Sequence, residues 1–137
     1  MYSKILLAVD GSEHSRKAVE AARDLARFSN GEVLVLHLQE RDISKAGVYD
    51  LETETEGVQL AENAKAVLEE VGVDVRAVMR PIMYGNAAQE ILAEAELFEP
   101  DLIVMGSRGL SDFTALLVGS VAHKVIHLAR CPVLVVR

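Results

Sequence analysis

The chain has no tryptophan, one cysteine and three prolines, and aromatic residues make up only 4% of it. The lone Cys131 excludes an internal disulfide and fits a reducing cytoplasm. With aromatics scarce, the core falls to Val, Leu, Ile and Ala, in a chain whose residues are 50% hydrophobic. Positive charge is also in short supply: 14 Lys and Arg stand against 21 Asp and Glu, for a net charge of −7. Nucleic-acid binding needs a basic surface, so general affinity for DNA or RNA is excluded. A single anion held at close range by main-chain dipoles is not. Long apolar runs are missing too. The run Ile5 to Val9 is far too short to cross a membrane and has no cleavage site after it. It reads as a first strand, so the mature chain is expected to start at residue 1 and to be soluble. Residues 1–137 are expected to form one domain.

What the chain does have is alternation. Lys4 to Val9 is strand-like, and Asp10-Gly11-Ser12 makes a turn with Ser12 as helix N-cap. Ala18, Val19, Ala22, Leu25 and Ala26 recur at helical spacing, and Asn30-Gly31 closes that helix with residues that tolerate a left-handed backbone. Glu32 to Leu38 is the second strand. A helix over Glu52 to Val71 follows, with Val58, Ala61, Ala64, Val67 and Leu68 on its buried face. The third strand opens near Gly72-Val73 and closes at Met79. Asn86 and Gln89 suggest a capping box for a helix that buries Ala88, Ile91, Leu92 and Ala95 and ends before Pro100. Leu102 to Met105 is the fourth strand, a helix lies between Ser120 and Arg130, and Val133 to Val136 is the fifth strand. The polar segment Glu40 to Gly57 reads as a long loop or a frayed helix start.

Five strands alternating with four helices predict an α/β fold: a doubly wound parallel sheet with two helices on each face. Right-handed crossovers narrow the topology, with the first and fourth strands as central neighbours. Ligands in such sheets sit beyond the carboxyl ends of the strands where strand order reverses. Asp10 and Gly106 both lie at such ends. Gly106-Ser-Arg-Gly109, nine residues, then Gly119-Ser120 form a strand, glycine loop and helix start. Glycine lets main-chain N–H groups approach a ligand, and a helix start adds free N–H groups and a positive dipole end. Together they make a phosphate cradle. The Ser120 hydroxyl serves as phosphate donor, as N-cap, or as both. Arg108 either pairs with phosphate or is a solvated loop charge.

These motifs resemble the universal stress protein family over nearly the whole chain. Ile5-Leu-Leu-Ala-Val-Asp-Gly-Ser12 is similar to its first strand and turn, and Pro100-Asp-Leu-Ile-Val-Met-Gly-Ser-Arg-Gly109 to its fourth strand and loop. Gly119-Ser-Val-Ala122 and Cys131-Pro-Val-Leu-Val-Val136 are similar to its last helix start and last strand. The spacing of Gly106, Gly109, Gly119 and Ser120 is that of the ATP-binding branch. Ala87 departs from it, standing where many members have proline, and Glu40 to Gly57 follows no family pattern.

The resemblance implies a Rossmann-like, adenine nucleotide alpha hydrolase-like fold that binds ATP, or AMP or ADP, with Mg or Mn as the nucleotide's divalent ion. It implies a cytoplasmic homodimer joined through Val133 to Val136, serving a protein partner in the stress response. The nucleotide-binding positions are then Ala8, Val9, Asp10, Leu38, Met105, Gly106, Arg108, Gly109, Gly119, Ser120 and Val121. Asp10 reaches the base or ribose side, or the metal through the nucleotide; the bland alternative is a turn or helix cap. Leu38 marks the place where main-chain groups read adenine. Val9 and Met105 pack against ribose and base, or belong to the core.

Three functions compete: an ATP-binding regulatory dimer, a slow ATP hydrolase or self-phosphorylating enzyme accepting on Ser107 or Ser120, and a nucleotide-free interaction dimer. The glycine loop holds no lysine and no base stands ready for water, which argues against efficient catalysis. A phosphoreceiver would need an aspartate after the third strand, where Met79-Arg80-Pro81 stands, and a flavin site would need more aromatic flanks. His123 and His127, four apart on one helix, lack an evident third metal ligand. His37 reads as a satisfied interior histidine, and Cys131 as structural.

Overall fold

Strand β1 (Lys4–Val9) buries Ile5, Leu6 and Leu7 completely, so both of its faces are covered. That is the signature of an interior parallel strand. The structure, a computed structural model, describes residues 1–44, 47–50, 53–107 and 119–137. After β1 come α1 (Glu13–Ser29), β2 (Glu32–Ser44), β3 (Gly47–Asp50), α2 (Glu54–Glu69), β4 (Asp74–Met83), α3 (Ala87–Phe98), β5 (Leu102–Gly106), α4 (Ser120–Leu128) and β6 (Val133–Val136).

Five strands are parallel in the order β4-β2-β1-β5-β6. The two strands expected to be central neighbours are β1 and β5, in register Ile5↔Leu102 and Leu7↔Val104. Side-chain alternation splits the core in two. Ile5, Leu7, Val33, Val35 and Val104 meet Ala18, Ala22, Ala26, Ala64 and Leu68 of α1 and α2. Leu6, Leu34, Leu36 and Ile103 meet Ala88, Ile91, Ala122 and Val125 of α3 and α4. The order reverses between β1 and β5, which opens a crevice above their carboxyl ends.

Several expectations need correction. In the segment 40–57 the described residues are largely regular, while 45–46 and 51–52 lie outside them. Strand β2 runs on to Ser44, and β3 pairs with it antiparallel, Arg41↔Asp50 to Ser44↔Gly47. Arg41 is also partnered by Met83 of β4, so β3 occupies the other edge of β2, the one that β1 leaves at His37. Strand β4 likewise continues past Met79 to Met83, with Pro81 inside it. Among the described strands β4 pairs only with β2, and an outer strand tolerates a missing N–H.

The caps also differ. Ser12 accepts the Ser15 N–H as expected, and Asn30 takes the left-handed conformation at φ 56°. Gly31 does not. It is glycine because a Cβ there would stand 2.3 Å from the Tyr2 carbonyl oxygen. Asn86 is the N-cap of α3 but makes no side-chain cap bond; the reciprocal capping box is Thr53 with Glu56, at the start of α2. Val58 is exposed, and Leu60 packs toward the core instead.

Candidate functional site

The crevice has an apolar floor and a polar rim. Ala8, Leu38, Met105 and Val121 all pack in the cluster beneath α3 and α4. The pleat puts Ala8 of β1, Leu38 of β2 and Met105 of β5 on one face of the sheet, and Val121 comes from α4, which covers that face. Val9 does not join them. Its side chain is buried in the opposite cluster, and its carbonyl oxygen accepts a hydrogen bond from His37 Nδ1 at 2.9 Å. His37 is 3% exposed, the satisfied interior histidine expected.

Asp10 follows β1 at the rim. One carboxylate oxygen accepts the Ser12 N–H at 2.9 Å, and its own N–H donates to Ser15 Oγ at 3.0 Å. The turn role is therefore real. A carboxylate has about four acceptor positions, so that role leaves room for a ligand contact. No group of three metal-ligating side chains occurs among the described residues.

Gly106 ends β5 beneath α1. A Cβ there would lie 2.9 Å from the His14 carbonyl carbon and 3.0 Å from the Ser15 nitrogen. Close helix–sheet packing is thus enough to require glycine at this position. Arg108 and Gly109 lie outside the described residues. Gly119 is the N-cap of α4 at φ −60°, ψ 157°, a conformation open to any residue, and it supplies no side-chain cap. Ser120 is the first helical residue rather than the cap, and it is exposed. An α-helix leaves the N–H groups of its first turn without in-helix partners, here those of Ser120, Val121 and Ala122.

The helix dipole alone is worth about 0.3–1 kcal/mol to an anion. Direct hydrogen bonds to a charged oxygen are worth about 1.5–3 kcal/mol each. At a helix start of this kind, hydrogen bonds from N–H groups and a hydroxyl would therefore hold an anion more strongly than the dipole does.

Sequence reasoning missed two members of the rim's framework, His14 and Ser15. His14 Nδ1 is hydrogen-bonded to Ser107 Oγ at 2.7 Å, and Ser107 is 3% exposed. These residues are far apart in sequence, and no local signal joins them. His123 and His127 are both exposed on α4, their rings edge to face with centroids 4.6 Å apart.

The architecture and the crevice define an open, doubly wound α/β domain with a polar rim at the strand reversal. The chain belongs to the universal stress protein family, whose family model matches residues 1–137. It is 37% identical to the universal stress protein YxiE of Bacillus subtilis, with both chains covered completely. A solved structure of the protein MJ0577 superposes with a TM-score of 0.76 at 30% identity, covering 99% of this chain and 96% of that one. A universal stress protein solved in complex with cAMP superposes with a TM-score of 0.74 at 25% identity, covering 99% and 97%. Among the described residues no helix is long and apolar enough to cross a membrane.

Proposed function

We propose that residues 1–137 form a single adenine-nucleotide-binding domain that acts in the cytoplasm as a regulatory homodimer of the stress response, with ATP as ligand and AMP or ADP as alternatives. The observation that carries this reading is the first turn of α4, whose N-cap Gly119 has no side chain to cap it and whose Ser120 is exposed, beside the apolar floor of Ala8, Leu38, Met105 and Val121. An apolar floor suits a base and ribose; a helix start suits phosphates. The related protein bound to cAMP supports the same ligand class. In this reading Gly106, Arg108, Gly109, Gly119 and Ser120 surround the phosphates, and Asp10 faces the ribose or the nucleotide's Mg or Mn. The main chain at Val9 and Leu38 borders the base. Dimerisation through Val133–Val136 and an unidentified protein partner complete the proposal.

Calorimetric titration of ATP and adenosine tests it. Gly119→Val, at a buried position whose φ suits valine, is expected to lose most ATP affinity by filling the phosphate space, with circular dichroism as the check that it folds. Ser120→Ala is expected to cost about 1–2 kcal/mol toward ATP and little toward adenosine. Folded Gly119→Val that binds ATP like the wild type would refute the reading. ATP turnover by the wild type is expected far below the ordinary enzyme range of about 1 per second or more, and turnover within that range would move the protein among the enzymes.

A further inference from the structure

One turn of α1 touches both sides of the crevice. On the β1 side, Ser15 Oγ accepts the N–H of Asp10, and Asp10 in turn accepts the N–H of Ser12. On the β5 side, His14 Nδ1 meets Ser107 Oγ at 2.7 Å, and the His14 and Ser15 main chain lies against Gly106. The main chain of Ser107 is engaged as well. Its N–H donates to the Val136 carbonyl at 2.7 Å, and its carbonyl accepts the Gly119 N–H at 2.6 Å. Ser107 is therefore where β5, β6, α1 and the cap of α4 are tied together.

We infer that His14 is a positioning residue for the anion-holding end of the crevice, acting by locking Ser107 and, through its carbonyl, Gly119 and the first turn of α4. A hydroxyl as buried as that of Ser107 must be hydrogen-bonded or carry a desolvation cost, so removing the imidazole takes this partner from Ser107 Oγ. Displacing Ser107 shifts the carbonyl that receives Gly119, and with it the N–H groups that a phosphate would meet. Ala8, Leu38 and Met105 of the apolar floor lie on strands outside this chain of contacts, and Val121 alone sits on the turn that it positions. The affinity consequence rests on the nucleotide reading above; the mechanical lock does not.

The test uses His14→Asn, His14→Gln and His14→Ala. An asparagine amide reaches the place of Nδ1, whereas a glutamine amide reaches that of Nε2. Two readouts are taken: amide exchange at Gly119 without ligand, and the affinities for ATP and adenosine. His14→Ala and His14→Gln are expected to speed Gly119 exchange and to weaken ATP, each by about tenfold, while adenosine changes by less than about twofold. His14→Asn is expected to restore both. Ser107→Ala, which adds no volume, is expected to repeat the His14→Ala result, with no further loss in the double variant.

Gly119 exchange unaltered by His14→Ala and by Ser107→Ala overturns the inference. So does equal weakening of ATP and adenosine, or rescue by glutamine as good as rescue by asparagine. If the wild type binds no nucleotide while Gly119 exchange responds as expected, the lock stands and the nucleotide reading falls.

Discussion

Gly106 carries no side chain because α1 leaves no room for one. The atoms a Cβ would meet belong to the main chain of His14 and Ser15 and to His14 Cβ, none of which can swing away as a flexible tip would. Gly106→Ala is expected to cost about 1–3 kcal/mol in urea unfolding, the scale of overpacking. A glycine in a nucleotide-binding pattern thus has a folding requirement independent of any ligand, which its sequence context cannot reveal. Asp10 was legible as a rim carboxylate, and its turn role was legible too; the bond from its N–H to Ser15 was not, since it depends on where α1 begins. At Cys131, burial first and the Asp101 carboxylate second push the thiol above its ordinary pKa. The thiolate is the reactive form, so iodoacetamide at pH 8 should modify the native protein more slowly than the urea-unfolded chain. Native modification should then accelerate as the pH rises toward the elevated value. Equal rates at pH 8 would show the thiol to be unperturbed.

At the scale of elements, periodicity found the four helices and five parallel strands of the described residues, because each buries one apolar face or two. It failed where burial stops being apolar. Beyond Leu38, β2 carries Gln39, Glu40, Arg41 and Asp42, a polar run that reads as loop, yet β4 pairs with it through Arg41 and β3 from there on. Main-chain pairing holds that extension, and main-chain pairing leaves no hydrophobic trace. Caps were half legible: Ser12 is used as expected, while Asn86 makes no cap bond and Thr53 and Glu56 form a reciprocal box. Thr53→Ala is therefore expected to cost about 1 kcal/mol, and Asn86→Ala markedly less, in chemical unfolding. Between β4 and α3, Arg80 Nε meets Glu94 Oε1 at 2.5 Å, the Glu94 side chain 6% exposed and that of Arg80 45%. Arg80→Met would leave a buried carboxylate without this partner. A loss of about 2 kcal/mol is expected, below the 3–5 of a fully buried pair because Arg80 is half in water.

At the scale of the whole molecule, the sheet ends on one side at β6, whose Leu134 is 38% exposed. An apolar edge strand is a natural place for another strand to add, and the proposed dimer uses it. Leu134→Pro combined with Val135→Lys is expected to give a monomer by light scattering where the wild type gives a dimer; a monomeric wild type at high concentration would remove the dimer from the proposal. Alternation and handedness narrowed the strand order, and ligand-type residues at Asp10 and Gly106 pointed to the first and fourth strands as neighbours, whereas the ties across the crevice belong to tertiary contact and could only be seen in the fold. The position of β1 has one more consequence. It is the centre of the sheet, yet Ile5 waits for Leu102 before its second edge is paired. During synthesis, everything through α3 can form around β1, β2 and β4 while the heart of the sheet still presents an open edge of unpaired N–H and C=O groups between apolar side chains. Completion of β5 is thus the committing event of folding, and a ribosome-released fragment ending at residue 101 should aggregate rather than persist as a folded half.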